Sequence, residues 1–139
     1  MLISLNSYSE LASAVSRQAS DLSLQERVDL AIGFLQMEMA EISVSILEPE
    51  SALPSVYLGI YCWGLLQARR AFDCISVIGS RLRDQEIQGE VRRELEYLLA
   101  CAREQMGEIH LARELFALLG DYRDALDRVR KLNLKLGLR

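Results

Sequence analysis

Only two prolines interrupt this chain, Pro49 and Pro54, and both fall in one short stretch. Proline lacks an amide donor and breaks helix interiors and central strands, so the long segments on either side are open to continuous secondary structure. A β-sandwich of this length would need more Gly, Pro and Asn-Gly punctuation than these 139 residues carry. Hydrophobic residues make up 50% of the chain and charged residues 26%, which excludes a disordered polymer and permits a real core. The expected class is all-α, in a single domain spanning 1–139.

Helical spacing recurs along the sequence. Ser7 with Glu10 matches a capping box and predicts a first helix over 8–19. Ser23 with Glu26 is a second box, followed by Leu24, Val28, Ala31, Leu35 and Met39 on one helix face. Glu41 to Ile46 alternates like a strand, but no partner strand is evident elsewhere and an isolated strand leaves its backbone unpaired, so helix is expected there too. Residues 48–55, with both prolines, read as a linker.

From Val56 to Leu82 the apolar phase shifts near Gln67–Arg69, which predicts two helices joined by a tight turn. The first of these is apolar all round and is expected to be the central, most buried element. The second carries Ala71, Ile75, Ile78 and Leu82 on one face, with Phe72 beside it. After a polar loop at 84–89 comes a helix bearing Val91, Leu95, Leu98, Leu99, Ala102 and Met106, stopped by Gly107. Another carries Leu111, Ala112, Leu115, Phe116 and Leu119 and stops at Gly120; Asp121 is the expected cap of a last one. This layout gives about seven helices: an N-terminal segment and cap helix over 1–20, an array of helix pairs over 24–132, and a tail over 133–139. The tail alternates Leu132, Leu134, Leu136 and Leu138 with polar residues and glycine, as either a frayed helix end or a strand-like docking segment would.

Charge is divided unevenly. Residues 1–68 hold eight acidic and two basic side chains; residues 69–139 hold twelve acidic and fourteen basic. In the second half the arginines alternate with acids, the pattern of a solvated face with local ion pairs and not of a phosphate-binding stripe, so no nucleic-acid partner is expected. The unbroken apolar run from Val56 to Leu66 is too short to cross a bilayer, which takes about 20 residues. Cys62, Cys74 and Cys101 are odd in number, lack CxxC spacing and sit in apolar runs; a reducing cytoplasmic setting is expected. His110 is the only histidine, and the acidic pairs Glu94/Glu96 and Asp121/Asp124 read as helix caps. No P-loop, GxGxxG or HExxH occurs. The sequence thus assigns no catalytic residue, metal ligand or cofactor.

The stretch Leu98-Leu99-Ala100-Cys101-Ala102-Arg103-Glu104-Gln105-Met106-Gly107-Glu108-Ile109-His110-Leu111-Ala112-Arg113-Glu114-Leu115-Phe116 resembles a tetratricopeptide repeat. Leu99 and Ala100 match in the first helix, Gly107 at the turn, Ala112 where the helices touch, and Phe116 beyond. Gly120 to Ala125 repeats the spacing of Gly107 to Ala112, Gly59 with Ala71 suggests an earlier, weaker pair, and residues 24–47 are a third candidate with little motif support. The match is specific over about 98–126 and architectural elsewhere. Arg103 replaces the usual aromatic, and Tyr57 and Tyr97 head comparable pairs 40 residues apart, against about 34 in a regular array.

The resemblance implies a short α-solenoid of antiparallel helix pairs that binds proteins. Small acidic proteins of this kind are often adaptors or export chaperones, and some bacterial type III secretion chaperones look similar in layout. The expected partner is another protein, presented as a helix or an extended segment, or a second copy of the chain. Tyr57, Tyr61, Trp63 and Phe72 are the candidate anchors, though the same aromatics could instead fill the core. The competing readings are a structural or oligomerisation subunit of a larger complex and, less favoured, a small helical enzyme.

Overall fold

The structure, a computed structural model, describes residues 5–48 and 53–138. Eight α-helices and no strand occur among the described residues, and they form two compact units that divide between Ala68 and Arg69. The first unit contains α1 (Leu5–Ala19), α2 (Leu24–Gln36), α3 (Ala40–Leu47) and α4 (Ser55–Gln67). The second contains α5 (Ala71–Leu82), α6 (Gly89–Gln105), α7 (Ile109–Leu118) and α8 (Ala125–Lys135).

The count exceeds the seven expected because the chain breaks after Gln36. Glu38 takes a left-handed backbone (φ 61°). Its N–H donates to the Leu35 carbonyl at 3.0 Å, and the next N–H, of Met39, donates to Phe34 at 2.8 Å. This is a Schellman stop, a turn normally signalled by glycine. A glutamate in that place hides it from sequence patterning. The start of α2 follows expectation: Ser23 and Glu26 form the reciprocal capping box, both bonds at 3.2 Å. Helix α1 begins at Leu5, ahead of Ser7, so Ser7 lies within the helix instead of capping it; its side chain is outside the described residues, as are residues 49–52 of the proline-bearing linker.

Helix α3, not α4, is the buried centre of the first unit. It packs on α1, α2 and α4 and buries six of its eight residues, Ala40, Ile42, Ser43, Val44, Ile46 and Leu47. Helix α4 buries Leu58, Cys62, Gly64, Leu65 and Leu66 against α3 and α2. An apolar circumference shows that a helix can be buried on every side; the number of neighbours decides whether it is. Two polar contacts hold the centre in register. The Ser43 hydroxyl donates to the Ala31 carbonyl at 2.8 Å, and the buried Arg27 guanidinium donates to the Ile46 carbonyl at 2.7 Å. Ile46 lies in the last turn of α3, where carbonyls lack partners within the helix.

In the second unit each helix packs on the next: α5 on α6, α6 on α7, α7 on α8. At the α6–α7 turn Gly107 has φ 84°, and its N–H and that of Glu108 donate to Glu104 (2.9 Å) and Arg103 (3.0 Å). Arg92 reaches back to the Leu82 and Ile87 carbonyls at 3.4 and 3.2 Å and so closes the end of α5. The cap position of α8 is Asp124, not Asp121, and its side chain makes no capping bond. Of the two tail readings, the helix end is the one observed. Leucine alternation there does not form a strand; α8 continues to Lys135 and ends at Gly137 (φ 73°), with Leu138 N–H donating to Asn133 at 2.7 Å.

Candidate interaction surfaces

Helix α4 has two faces that its residue types do not distinguish. Leu58, Cys62, Leu65 and Leu66 point into the core. Val56, Ile60, Trp63 and Gln67, spaced i, i+4, i+7 and i+11, share the opposite side. Val56 is 65% exposed, Gln67 is exposed, and Ile60 and Trp63 are half-buried. A polar residue would normally occupy such positions; here three of the four are apolar.

The predicted anchors separate on this frame. Tyr57 and Tyr61, one helical turn apart, are half-buried on a flank of α4. The Tyr57 hydroxyl donates to Gln25 Oε1 on α2 at 2.7 Å, and the Gln25 amide donates to Asp29 at 3.0 Å. Tyr57 therefore ties α4 to α2. Trp63 belongs to the outward stripe with Val56 and Ile60, neither of which sequence reasoning singled out; their spacing opposite Leu58 and Cys62 carried the signal. Phe72 lies on α5 in the second unit, 69% exposed, on a helix that buries Ala71, Cys74 and Ile78.

The residues expected at the helix-pair contacts are distributed as follows. Ala100, Ala112, Phe116 and Ala125 are fully buried, Ala71 is 5% exposed, and Gly107 and Gly120 are the left-handed turn residues that follow α6 and α7. Gly59 is half-buried on α4. The glycine against which α3 closes is Gly64, where an added Cβ would stand 3.0 Å from Val44 Cγ2.

The second unit carries a polar network that the sequence did not announce. Tyr97 is 4% exposed, packs edge-on against Phe116 (5.7 Å) and Tyr122 (6.1 Å), and donates its hydroxyl to Asp124. Arg128 contacts Asp124 at 3.2 Å and Glu104 at 3.4 Å and lies over the Phe116 ring at 5.6 Å. Glu94 accepts from the Tyr122 hydroxyl (2.8 Å) and from Arg123 (2.9 Å). Glu94 and Glu96 are therefore not caps: both sit inside α6, where Glu96 pairs with Arg92 at 3.2 Å. Burial works against the Asp124 carboxylate, yet bonds from Tyr97 and Arg128 outweigh it and hold its pKa below the ordinary value. Burial also raises the Tyr97 hydroxyl well above its usual range, reinforced by the bond to Asp124.

These groups lock α6 to α8 without offering a nucleophile. Burial pushes the Cys101 thiol up to about 11, so it is protonated near neutrality. His110 is exposed on α7. Among the described residues no group of three or more His, Cys, Asp or Glu side chains could hold a metal ion, and no helix is long and apolar enough to cross a membrane. Cys62, Cys74 and Cys101 are not joined in disulfides. The interleaved charges of the second unit form local pairs, Arg70–Asp73 at 2.8 Å and Arg103–Glu108 at 3.0 Å among them. A shallow cleft where α6 starts and α7 ends is lined by Gln88, Gly89, Arg92, Arg93, Glu96, Leu118 and Leu119, its two arginines paired with Glu96 and Glu90.

Comparison with protein-family models, curated proteins and solved structures finds no match to this chain.

Proposed function

We propose that this protein is a non-enzymatic protein–protein interaction module, built as a tetratricopeptide-like helical array, that holds a partner polypeptide against the outward face of α4. The observation that supports this reading is the stripe of Val56, Ile60 and Trp63 on the side of α4 opposite its core face, with Val56 65% exposed. Large apolar side chains aligned at helical spacing gain free energy when a partner removes them from water, at about 25 cal/mol per Å². A role as a cytoplasmic adaptor or export-type chaperone fits such a surface. Catalysis has less in its favour, since the partly buried polar cluster is spent on joining α6 to α8.

The experiment places a photoreactive amino acid at Val56 and, as a control, at exposed Gln85, and irradiates cells expressing each variant. A single heterologous polypeptide cross-linked through position 56 and not through position 85 supports the module. Cross-linking of the chain to itself through position 56 would instead support a structural or oligomerisation subunit. Equal labelling from both positions, or none from position 56, rejects α4 as a docking face.

A further inference from the structure

We infer that the outward side of α8 docks a helix of a partner protein, one that sets a carboxylate between apolar residues. This surface lies in the second unit and is independent of the reading of α4. Its helical occupant follows from a register that recurs along the chain. Glu38, Gly107 and Gly137 stop α2, α6 and α8 in the same way, each with a left-handed backbone (φ 61°, 84° and 73°). The N–H of each donates to the carbonyl three residues back, of Leu35, Glu104 and Leu134, at 3.0, 2.9 and 3.1 Å. The next N–H donates to Phe34, Arg103 and Asn133 at 2.8, 3.0 and 2.7 Å. Aligned on these stops, α2 and α6 present the same side to the helix that follows each of them. Ala31 and Ala100 stand seven residues before the stop, Ser43 and Ala112 five residues after it, and all four are buried. The Ser43 hydroxyl donates to the Ala31 carbonyl at 2.8 Å, and Tyr97 meets Phe116 at 5.7 Å. Helix α3 thus covers this side of α2, and α7 covers it on α6.

On α8 the same register falls on Leu126, Asp127, Arg130 and Leu134, and among the described residues no helix lies over them. Leu126 is 49% exposed and Leu134 77%, with Arg130 exposed between them, while the buried residues of α8 are Ala125 and Leu132. Leu126 and Leu134 stand about one helical turn to either side of Arg130, a stripe about 12 Å long. Covering the two leucines is favourable. The charge of the occupant follows from Arg130. It takes the place of Ala31 and Ala100, the small residues over which α3 and α7 close, so a helix laid there meets a guanidinium instead of a methyl group. Asp127, at the edge of the stripe, is paired with Lys131 at 3.2 Å, whereas Arg130 enters no ion pair among the described residues. A cation covered without a partner is costly, and a carboxylate on the incoming helix supplies that partner.

The full-length protein is titrated with two dye-labelled amphipathic peptides of about 18 residues, built from Leu, Ala and Gln and read by fluorescence anisotropy. They differ only at the middle of the leucine face, which carries Glu in one and Lys in the other. Wild type should bind the Glu peptide at least about tenfold more tightly than the Lys peptide. Arg130→Glu should invert that preference, and Leu134→Ser should weaken both peptides by about tenfold. Both positions are exposed, so neither variant should melt differently from wild type. Arg83→Glu makes the same charge change at another exposed position of this unit and should leave the preference as it is. An equal shift in Arg83→Glu and Arg130→Glu would show attraction to net charge alone and overturn the proposal. Equal affinity of wild type for the two peptides would refute the carboxylate, and no binding of either would refute the docking surface altogether. Self-association of the protein that Leu134→Ser abolishes, seen by sedimentation, would assign the surface to a second copy and overturn the acidic partner.

Discussion

Adding one methyl group at Gly64 and at Gly33 should move stability in opposite directions. Both glycines lie inside helices, α4 and α2, of the same unit. Alanine is the better helix former by about 1 kcal/mol, a gain available at either position. At Gly33 a new Cβ meets nothing within 4 Å, so that gain stands and Gly33→Ala should stabilise by about 0.5–1 kcal/mol. At Gly64 the Cβ would stand 3.0 Å from Val44 Cγ2, 3.7 Å from Leu35 Cδ2 and 3.8 Å from Ser43 Oγ. None of these yields easily. Val44 is β-branched and 1% exposed, and Ser43 is held to the Ala31 carbonyl. Overpacking of this kind costs about 1–3 kcal/mol, so Gly64→Ala should lose about 1 kcal/mol net after the propensity gain. The two variants should differ by about 2 kcal/mol in thermal or denaturant unfolding followed by circular dichroism, a separation of several degrees in Tm at about 2–8 °C per kcal/mol. A Gly64→Ala protein as stable as Gly33→Ala would refute the close α3–α4 approach and the packing argument built on it.

Three further outcomes test the remaining contacts. Ala112→Leu, at a fully buried position on α7, should destabilise by about 1–3 kcal/mol through overpacking; a neutral melt would remove Ala112 from the helix crossing. Arg27→Met should lose about 1–3 kcal/mol, since the Ile46 carbonyl forfeits its guanidinium partner in the interior; wild-type stability in urea would show that contact to be idle. The Asp124 carboxylate has a depressed folded-state pKa, so its contribution is present above the unfolded value of 3.8 and is lost as pH falls through the folded one. The Tm difference between wild type and Asp124→Asn should therefore hold near neutrality and close below about pH 4. A gap that stays constant as pH falls from neutrality into the acid range would mean that the Tyr97–Asp124–Arg128 cluster draws nothing from the charge of Asp124.

Local chemistry alone determined much of this protein. Proline confined to one stretch, helical spacing elsewhere and the Ser23–Glu26 pair specify helices and the start of α2, because capping and periodicity act over four residues or fewer. Gly107 and Gly120 marked their turns for the same reason, as glycine adopts a left-handed backbone without steric cost. Glu38 adopts that backbone too, between two helices that pack on each other, and with no glycine there the position of the break was not marked.

What tertiary structure decided was which faces meet. Val56, Ile60 and Trp63 look like Leu58, Cys62 and Leu65 in a list of residues, and only the position of α3 turns one set inward and leaves the other outward. Glu94, Asp124 and Arg128 read as surface charges until the fold joins them with Tyr97, Tyr122 and Glu104 across gaps of 24 to 28 residues. Contacts between residues distant along the chain depend on geometry that no local pattern encodes.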